Sequence, residues 1–235
     1  MIAIKELQRY VAERFLSFLE DATVTNNRLD QRQGVGVVEV AVVSRGGVDL
    51  IFRLRSTYSM RGNNVSFSAV GGLRHNESIQ AAVACASRSG SAFASIPYSF
   101  WESIINPWSV SSLINIPPEL QSASNLLRII GDGIEKDLTS YIKRIAGYIN
   151  KEFRPQYAQL CAVDSLVAEN HEKADLRTNV WARGATLGFL ERREDFENWV
   201  NALIDQGGGA AGQEMIDFKI QFTSCLREKF FSELL

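Results

Sequence analysis

The residues that most often carry acid–base or metal chemistry are scarce in this sequence. The 235-residue chain has two histidines and three cysteines. His75 begins the run His75-Asn76-Glu77, which has the spacing of one half of a zinc deaminase motif. The Pro-Cys-x-x-Cys half that would complete the zinc ligands is missing. We therefore interpret His75 as a loop residue before a helix that Asn76 caps.

A thiol–histidine pair is the next chemistry to consider. Cys161 and His171 would lie about 15 Å apart on one continuous helix, too far for proton transfer. Cys85 approaches His75 only if the intervening chain folds back. The cysteines are odd in number and widely spaced, so we predict three reduced thiols. The sequence also lacks a phosphate-binding loop, a nucleophile elbow and a paired-histidine zinc motif, so we predict no catalytic residue, metal or cofactor.

Carboxylates offer a route to catalysis that leaves little signature in the spacing of residues. Glu39, Asp49 and Glu77 form the nearest cluster of acids around the predicted sheet. A metal-dependent nuclease needs paired acids and usually a lysine beside them, and no Glu-x-Lys follows a strand here. A hydrolase or nuclease-like enzyme that uses carboxylates stays an alternative.

Two charged segments are candidates for contact with a partner. The run from Glu191 to Glu197 is dense in charge and is typical of the start of an exposed helix. Arg53 and Arg55 share one face of a predicted strand, with side chains about 7 Å apart. That face either binds an anion or is balanced by Glu39 and Asp49. The candidate partner-binding residues are Glu191, Glu194, Asp195, Glu197, Arg53 and Arg55.

The periodicity of apolar residues predicts the elements that position these side chains. The predicted elements are a helix over 3–20, strands over 35–43, 48–55 and 65–69, and helices from Glu77, from Leu127 to Ile149, and over 157–171, 179–190, 195–204 and 213–234. We expect the polar residues 23–33 and the small residues 88–99 to be loops. Gly71-Gly72 is predicted to end the sheet.

These elements predict an α+β fold. Its parts are a small antiparallel three-stranded sheet with an N-terminal helix, followed by a mainly helical C-terminal half. The length suits a single domain. Pro117-Pro118 is the strongest break, so we divide residues 1–235 into an α+β lobe over 1–116 and a helical lobe over 117–235. We expect the two lobes to share one core.

Composition and charge narrow the classes of partner. The 25 basic and 27 acidic side chains give a net charge of −2, which does not favour nucleic acid or anionic membranes. No apolar run is long enough to cross a bilayer, and residues 1–20 do not form a secretory signal. We therefore expect a soluble cytoplasmic protein and leave its oligomeric state open.

A non-catalytic binding protein fits these observations best. Its most specific form is an immunity protein that sequesters and neutralises a cognate bacterial toxin by protein–protein contact. The carboxylate enzyme is the first alternative, and it predicts convergent acids in a cleft. A structural subunit of a larger assembly is the second alternative, and it predicts a large exposed apolar patch.

Overall fold

The computed structural model describes residues 4–59, 64–90, 112–114, 116–117, 120, 127–128, 136–168, 177–207 and 212–232. Helix α1 (Ile4–Ser17) leads into four long antiparallel strands: β1 (Thr23–Asp30), β2 (Val35–Arg45), β3 (Val48–Ser59) and β4 (Asn64–His75). Three short strands, β5 (Ser112–Ile114), β6 (Leu127–Arg128) and β7 (Arg177–Thr178), complete the sheet. Its order is β1-β2-β3-β4-β5-β7, and β6 also pairs with β4.

The remaining described elements are helical. They are α2 (Asn76–Gly90), α3 (Lys136–Tyr148), α4 (Val180–Phe189), α5 (Arg193–Asp205) and α6 (Gly212–Phe231). A π-helical turn, Ile149–Phe153, continues α3 into one more α turn, Arg154–Tyr157, which contains Pro155. The wider turn lies where the proline ring would otherwise clash with the preceding turn of the helix. The predicted α+β class is confirmed.

The predicted three-stranded sheet is wrong in its number of strands, because four long strands are present. The missed strand is β1, which lies in the segment predicted to be a loop. Only Asn26 is buried in β1, so burial does not alternate along this strand. Backbone pairing with β2 forms the strand instead. Gly71-Gly72 does not end the sheet, since β4 continues through both glycines to His75.

Two predicted helices also need correction. Leu127 and Arg128 do not begin a helix but pair with Val65 and Asn64 on β4. The predicted helix over 157–171 is replaced by two short 3₁₀ turns, Ala158–Leu160 and Val163–Leu166. His171 lies outside the described residues, so the helical spacing assumed for Cys161 and His171 does not apply. Helix α2 extends to Gly90, while residues 91–99 of the predicted loop lie outside the described part.

One face of the sheet forms the first core, as the alternation in β3 predicts. Leu50, Phe52 and Leu54 are fully buried on this face. Phe52 packs against Phe15 of α1 and Phe153 of the π turn, with ring centroids 6.3 and 5.3 Å away. The predicted first helix therefore covers the sheet, and α3 covers it beside α1.

The turn between β2 and β3 has the geometry that its two glycines predict. Arg45 pairs with Val48 across the two-residue loop. Gly46 and Gly47 have φ values of +56° and +76°, a conformation that favours glycine over residues with a side chain.

A second core joins α2 with α4, α5 and α6. The described buried residues thus form two large clusters rather than the one shared core that we expected. Helix α3 belongs to the predicted helical lobe, but it packs on the sheet. Helix α2 belongs to the predicted α+β lobe, but it packs on the later helices. The lobe boundary at 116/117 stays a prediction. Each of the two core clusters contains residues from both sides of this boundary.

Candidate functional site

A groove lies between α4, α5 and the segment that follows the second 3₁₀ turn. Its volume is about 610 Å³, within the range of about 300–1,000 Å³ that is typical of ligand pockets. We call it the α4–α5 groove. The residues that line it are Val167, Ala168, Arg183, Leu187, Arg192, Asp195, Asn198, Trp199 and Ala202.

Local sequence features fix the two helices that form this groove. Asn179 caps α4, because its Oδ1 accepts hydrogen bonds from the amides of Trp181 and Ala182 at 2.9 and 3.2 Å. The tight turn into α5 places Glu191 at φ +54°, in the left-handed region. The two helices therefore follow each other with only a short connection, and their side chains face the same groove.

Trp199 forms a rigid apolar wall of the groove. Its Nε1 donates to the carbonyl oxygen of Val180 at 3.0 Å, and its ring lies 5.5 Å from that of Phe196. The indole occupies the space beside Gly184, where a Cβ atom would lie 2.3 Å from two ring carbons. A side chain held on several sides in this way keeps one orientation and presents a preformed surface.

The mouth of the groove carries charge. Arg192 donates a hydrogen bond from Nε to Asp195 Oδ2 at 2.5 Å. Its Nη2 also lies 2.5 Å from that oxygen, and both side chains are nearly half exposed. Arg183 and Asn198 also line the groove. The described lining therefore mixes apolar side chains with charged and amide groups.

The four predicted acids have different surroundings. Glu191 and Glu194 are exposed beside the groove, and Asp195 lines it. Glu197 accepts two hydrogen bonds from Arg227 of α6, at 2.8 and 2.6 Å. These hydrogen bonds hold the pKa of Glu197 below its usual range. Glu197 thus links α5 to α6, while Glu191 and Glu194 stand at the surface.

The two predicted arginines lie on the other face of β3, away from the first core. Arg55 is exposed, whereas Arg53 donates from Nε and Nη2 to Glu39 Oε2 at 2.9 and 2.7 Å. Arg53 and Glu39 are direct partners across β2 and β3. Arg53 is therefore paired with an acid of the same sheet. Both arginines lie on β3, whereas the predicted charged run lies at α5.

Two of the three candidate carboxylates meet at one arginine. The buried Arg74 donates from Nη1 to Glu39 Oε1 at 2.5 Å, and its Nη2 lies 3.7 Å from Asp49 Oδ2. Thr25 donates a further hydrogen bond to Glu39 Oε1 at 2.8 Å. Glu77 is exposed on the first turn of α2. Both oxygens of Glu39 are thus engaged, and the network lacks the free lone pairs that a general base or metal ligand uses.

His75 is buried at the end of β4 rather than in a loop. Its Nδ1 lies 2.8 Å from Ser78 Oγ, and its ring meets that of Phe189 edge-on at 5.1 Å. Burial lowers the pKa of His75, and the nearby charge of Glu77 opposes this shift. The contact with Phe189 joins the sheet to the helical core, which is a structural role.

The predicted set of three reduced thiols is wrong. Cys85 of α2 and Cys225 of α6 form a disulfide across 140 residues of chain, with their Cα atoms 5.6 Å apart. Cys161 is a free, buried thiol, and burial raises its pKa to about 11, so it is a poor nucleophile. Within the described ranges, His, Cys, Asp and Glu side chains form no group that could hold a metal ion.

Of the six candidate partner-binding residues predicted from the sequence, Asp195 is the one that lines the groove, and Arg192 belongs to the same predicted charged run. Arg192, Asp195, Asn198 and Ala202 follow one another at steps of three and four, which places them on one side of α5. That spacing was a usable signal. The contribution of α4 could not be read in the same way, because it depends on how the two helices pack.

The sequence matches no protein-family model and no curated protein, and the fold matches no solved structure. None of the described helices has the length and apolar character needed to cross a membrane.

Proposed function

We propose that this protein is a non-catalytic binding protein whose partner-binding surface is the mouth of the α4–α5 groove together with Glu191 and Glu194. The observation that carries the proposal is the position of these two exposed acids beside a preformed groove that Trp199 walls. The most specific form of the proposal is an immunity protein that sequesters and neutralises a bacterial toxin.

Interface physics supports this choice of surface. Protein interfaces combine rigid aromatic anchors at the centre with charges at the rim that steer association and fix the partner. Trp199 is already ordered, so binding against it costs little side-chain entropy. Glu191 and Glu194 are exposed and would complement basic side chains on a partner.

The two alternative functions have weaker support. A carboxylate enzyme needs a free acid pair, and the acids that come together on the sheet, Glu39 and Asp49, are bound by arginines. A structural subunit predicts a broad apolar patch. Among the described residues the exposed large apolar side chains are Val24, Val180 and Ile220, on three different elements.

The test is a capture experiment with charge-reversed variants. The tagged full chain is expressed near its native level as wild type, as Glu191→Lys with Glu194→Lys, and as a control with Glu13→Lys and Glu152→Lys. The control acids are also exposed and lie on α1 and the π turn. The control variant therefore changes the net charge by the same amount as the groove variant and leaves the proposed surface unaltered.

We expect one stoichiometric partner that the wild type and the control retain and the groove variant loses. Under the immunity form of the proposal, that partner is toxic when expressed alone. Co-expression of the wild type, but not of the groove variant, relieves the toxicity. Recovery of the tagged chain alone, or equal retention by both variants, contradicts the proposal.

A further inference from the structure

We infer that Cys225 is a thiol-exchange site, the sulfur at which a small thiol of the glutathione class enters the Cys85–Cys225 disulfide and forms a mixed disulfide. The observation that carries the inference is the unequal exposure of the two cysteines that the bond joins. The site lies on α6 and does not depend on the proposed partner-binding surface at Glu191 and Glu194.

The two ends of the disulfide have different surroundings. Cys85 is 2% exposed and belongs to the buried residues of the second core. Cys225 packs against the same core but is only partly buried. A thiolate exchanges with a disulfide through the sulfur that it can contact, so access decides which end of the bond reacts. Attack from outside is therefore directed to Cys225.

A second groove, between α2 and α6, leads to this sulfur. We call it the α2–α6 groove, and its volume is about 260 Å³. Cys225 lines it beside Gln221 and Ser224 of the same helix, whereas the buried Cys85 does not line it. Ile220 and Gln221 are exposed at its border. A small thiol therefore meets Cys225 through this groove without entering the core.

Thiols alone balance the exchange, and no other oxidant or reductant takes part. The thiolate of glutathione attacks Sγ of Cys225 and forms a new S–S bond, while the bond to Cys85 breaks. The sulfur of Cys85 leaves with the electron pair and takes up the proton that the attacking thiol released. A second glutathione thiolate then attacks the sulfur of the first one. This step releases glutathione disulfide and leaves Cys225 reduced.

A matched pair of variants, Cys85→Ser and Cys225→Ser, tests which end reacts. Both variants lack the bond, and each keeps one of its two cysteines together with the buried free thiol of Cys161. The reduced full-length chains are freed of reductant and incubated with glutathione disulfide, from which a reacting thiolate displaces glutathione. Acid-quenched samples are digested, and mass spectrometry of the peptides locates each glutathione adduct.

We expect Cys225 in the Cys85→Ser variant to be modified at least about tenfold faster than Cys85 in the Cys225→Ser variant, because access limits the exchange. Cys85 should react about as slowly as Cys161, since both side chains are buried. Equal rates at Cys225 and Cys85, or a faster reaction at Cys85, overturn the inference.

A second measurement keeps the disulfide and blocks the α2–α6 groove. Gln221→Trp places a large ring in its lining, and Gln213→Trp is the matched control, because Gln213 is exposed on the same helix and does not line the groove. Reduction of the oxidised chains by glutathione is followed by acid quenching, alkylation in denaturant and mass spectrometry. Gln221→Trp should be reduced at least about threefold more slowly than wild type, and Gln213→Trp at the same rate as wild type.

Equal rates of reduction in the three chains contradict entry through the groove and overturn the inference. This measurement does not require either cysteine variant to fold. Capture of a protein partner is measured separately with the variants of Glu191 and Glu194, so failure of one proposal is distinguishable from failure of the other.

Discussion

The indole ring of Trp199 on α5 lies directly against the backbone of Gly184 on α4. A Cβ atom added at Gly184 would lie 2.3 Å from ring atoms Cη2 and Cζ3, closer than van der Waals contact allows. The hydrogen bond from Trp199 Nε1 to Val180 and the contact with Phe196 hold the ring on other sides. The absence of a side chain at Gly184 therefore sets both the spacing of the two helices and the wall of the groove.

Gly184→Ala is expected to lower the free energy of unfolding by about 1–3 kcal/mol, because overpacking displaces Trp199. The matched control is Gly147→Ala on α3, where an added Cβ meets nothing within 4 Å. That variant should gain up to about 1 kcal/mol from helix propensity. Urea unfolding of both variants measures the difference. Equal effects at the two positions would show that the close approach of Trp199 does not constrain this packing.

The disulfide between Cys85 and Cys225 should stabilise the second core, because it closes a loop of 140 residues. Reduction with dithiothreitol is expected to lower the free energy of unfolding by about 3–5 kcal/mol. A Cys85→Ala, Cys225→Ala variant should not respond to the reductant. If wild type and double variant respond alike, the effect does not come from this bond.

The same disulfide bears on the cytoplasmic location that composition predicts. Structural disulfides persist in oxidising compartments and are rare in the cytosol. Acid quenching of its own cells, followed by alkylation of the protein in denaturant and mass spectrometry, counts its free thiols. A cytoplasmic protein should show three alkylated cysteines, and an oxidised one should show Cys161 alone.

We expect Glu39 to be required for the stability of the fold. It is fully buried between Arg53 and Arg74, so Glu39→Gln leaves two guanidinium groups without their counter-charge. The expected loss is about 3–5 kcal/mol in urea unfolding. Glu77→Gln, at an exposed acid, should change stability by about 0.5 kcal/mol or less. If Glu39→Gln lowers the free energy of unfolding by less than about 1 kcal/mol, the network contributes little to stability.

His75 should make stability depend on pH. Burial lowers the pKa of His75 in the folded chain, so the unfolded chain takes up the proton more readily. Its contribution is complete above about pH 6.5, the usual pKa of histidine, and is lost as the pH falls through the lower folded value. The free energy of unfolding, measured by urea titration from pH 8 to pH 5, should fall less steeply in His75→Gln. Parallel profiles would show that His75 is not responsible.

Much of the fold is readable in local patterns. The alternation of Leu50, Phe52 and Leu54 predicts the buried face of β3, because successive side chains of a strand point to opposite faces. Gly46 and Gly47 predict the turn that precedes it. Strand β1 lacks such a pattern, because an edge strand with exposed side chains is held by backbone pairing. The sequence did not place Arg74 in the sheet, because Gly71-Gly72 was interpreted as the end of the last strand.

The sequence by itself determined the α+β class, most helices and the exposed charges of Glu191 and Glu194, because these depend on residues close together in the chain. Tertiary structure alone decided the rest. The Cys85–Cys225 bond, the Arg74 network and the Gly184–Trp199 contact each join elements that are separated along the chain. The spacing of residues along the chain does not predict such contacts, because they form only when helices and strands pack together.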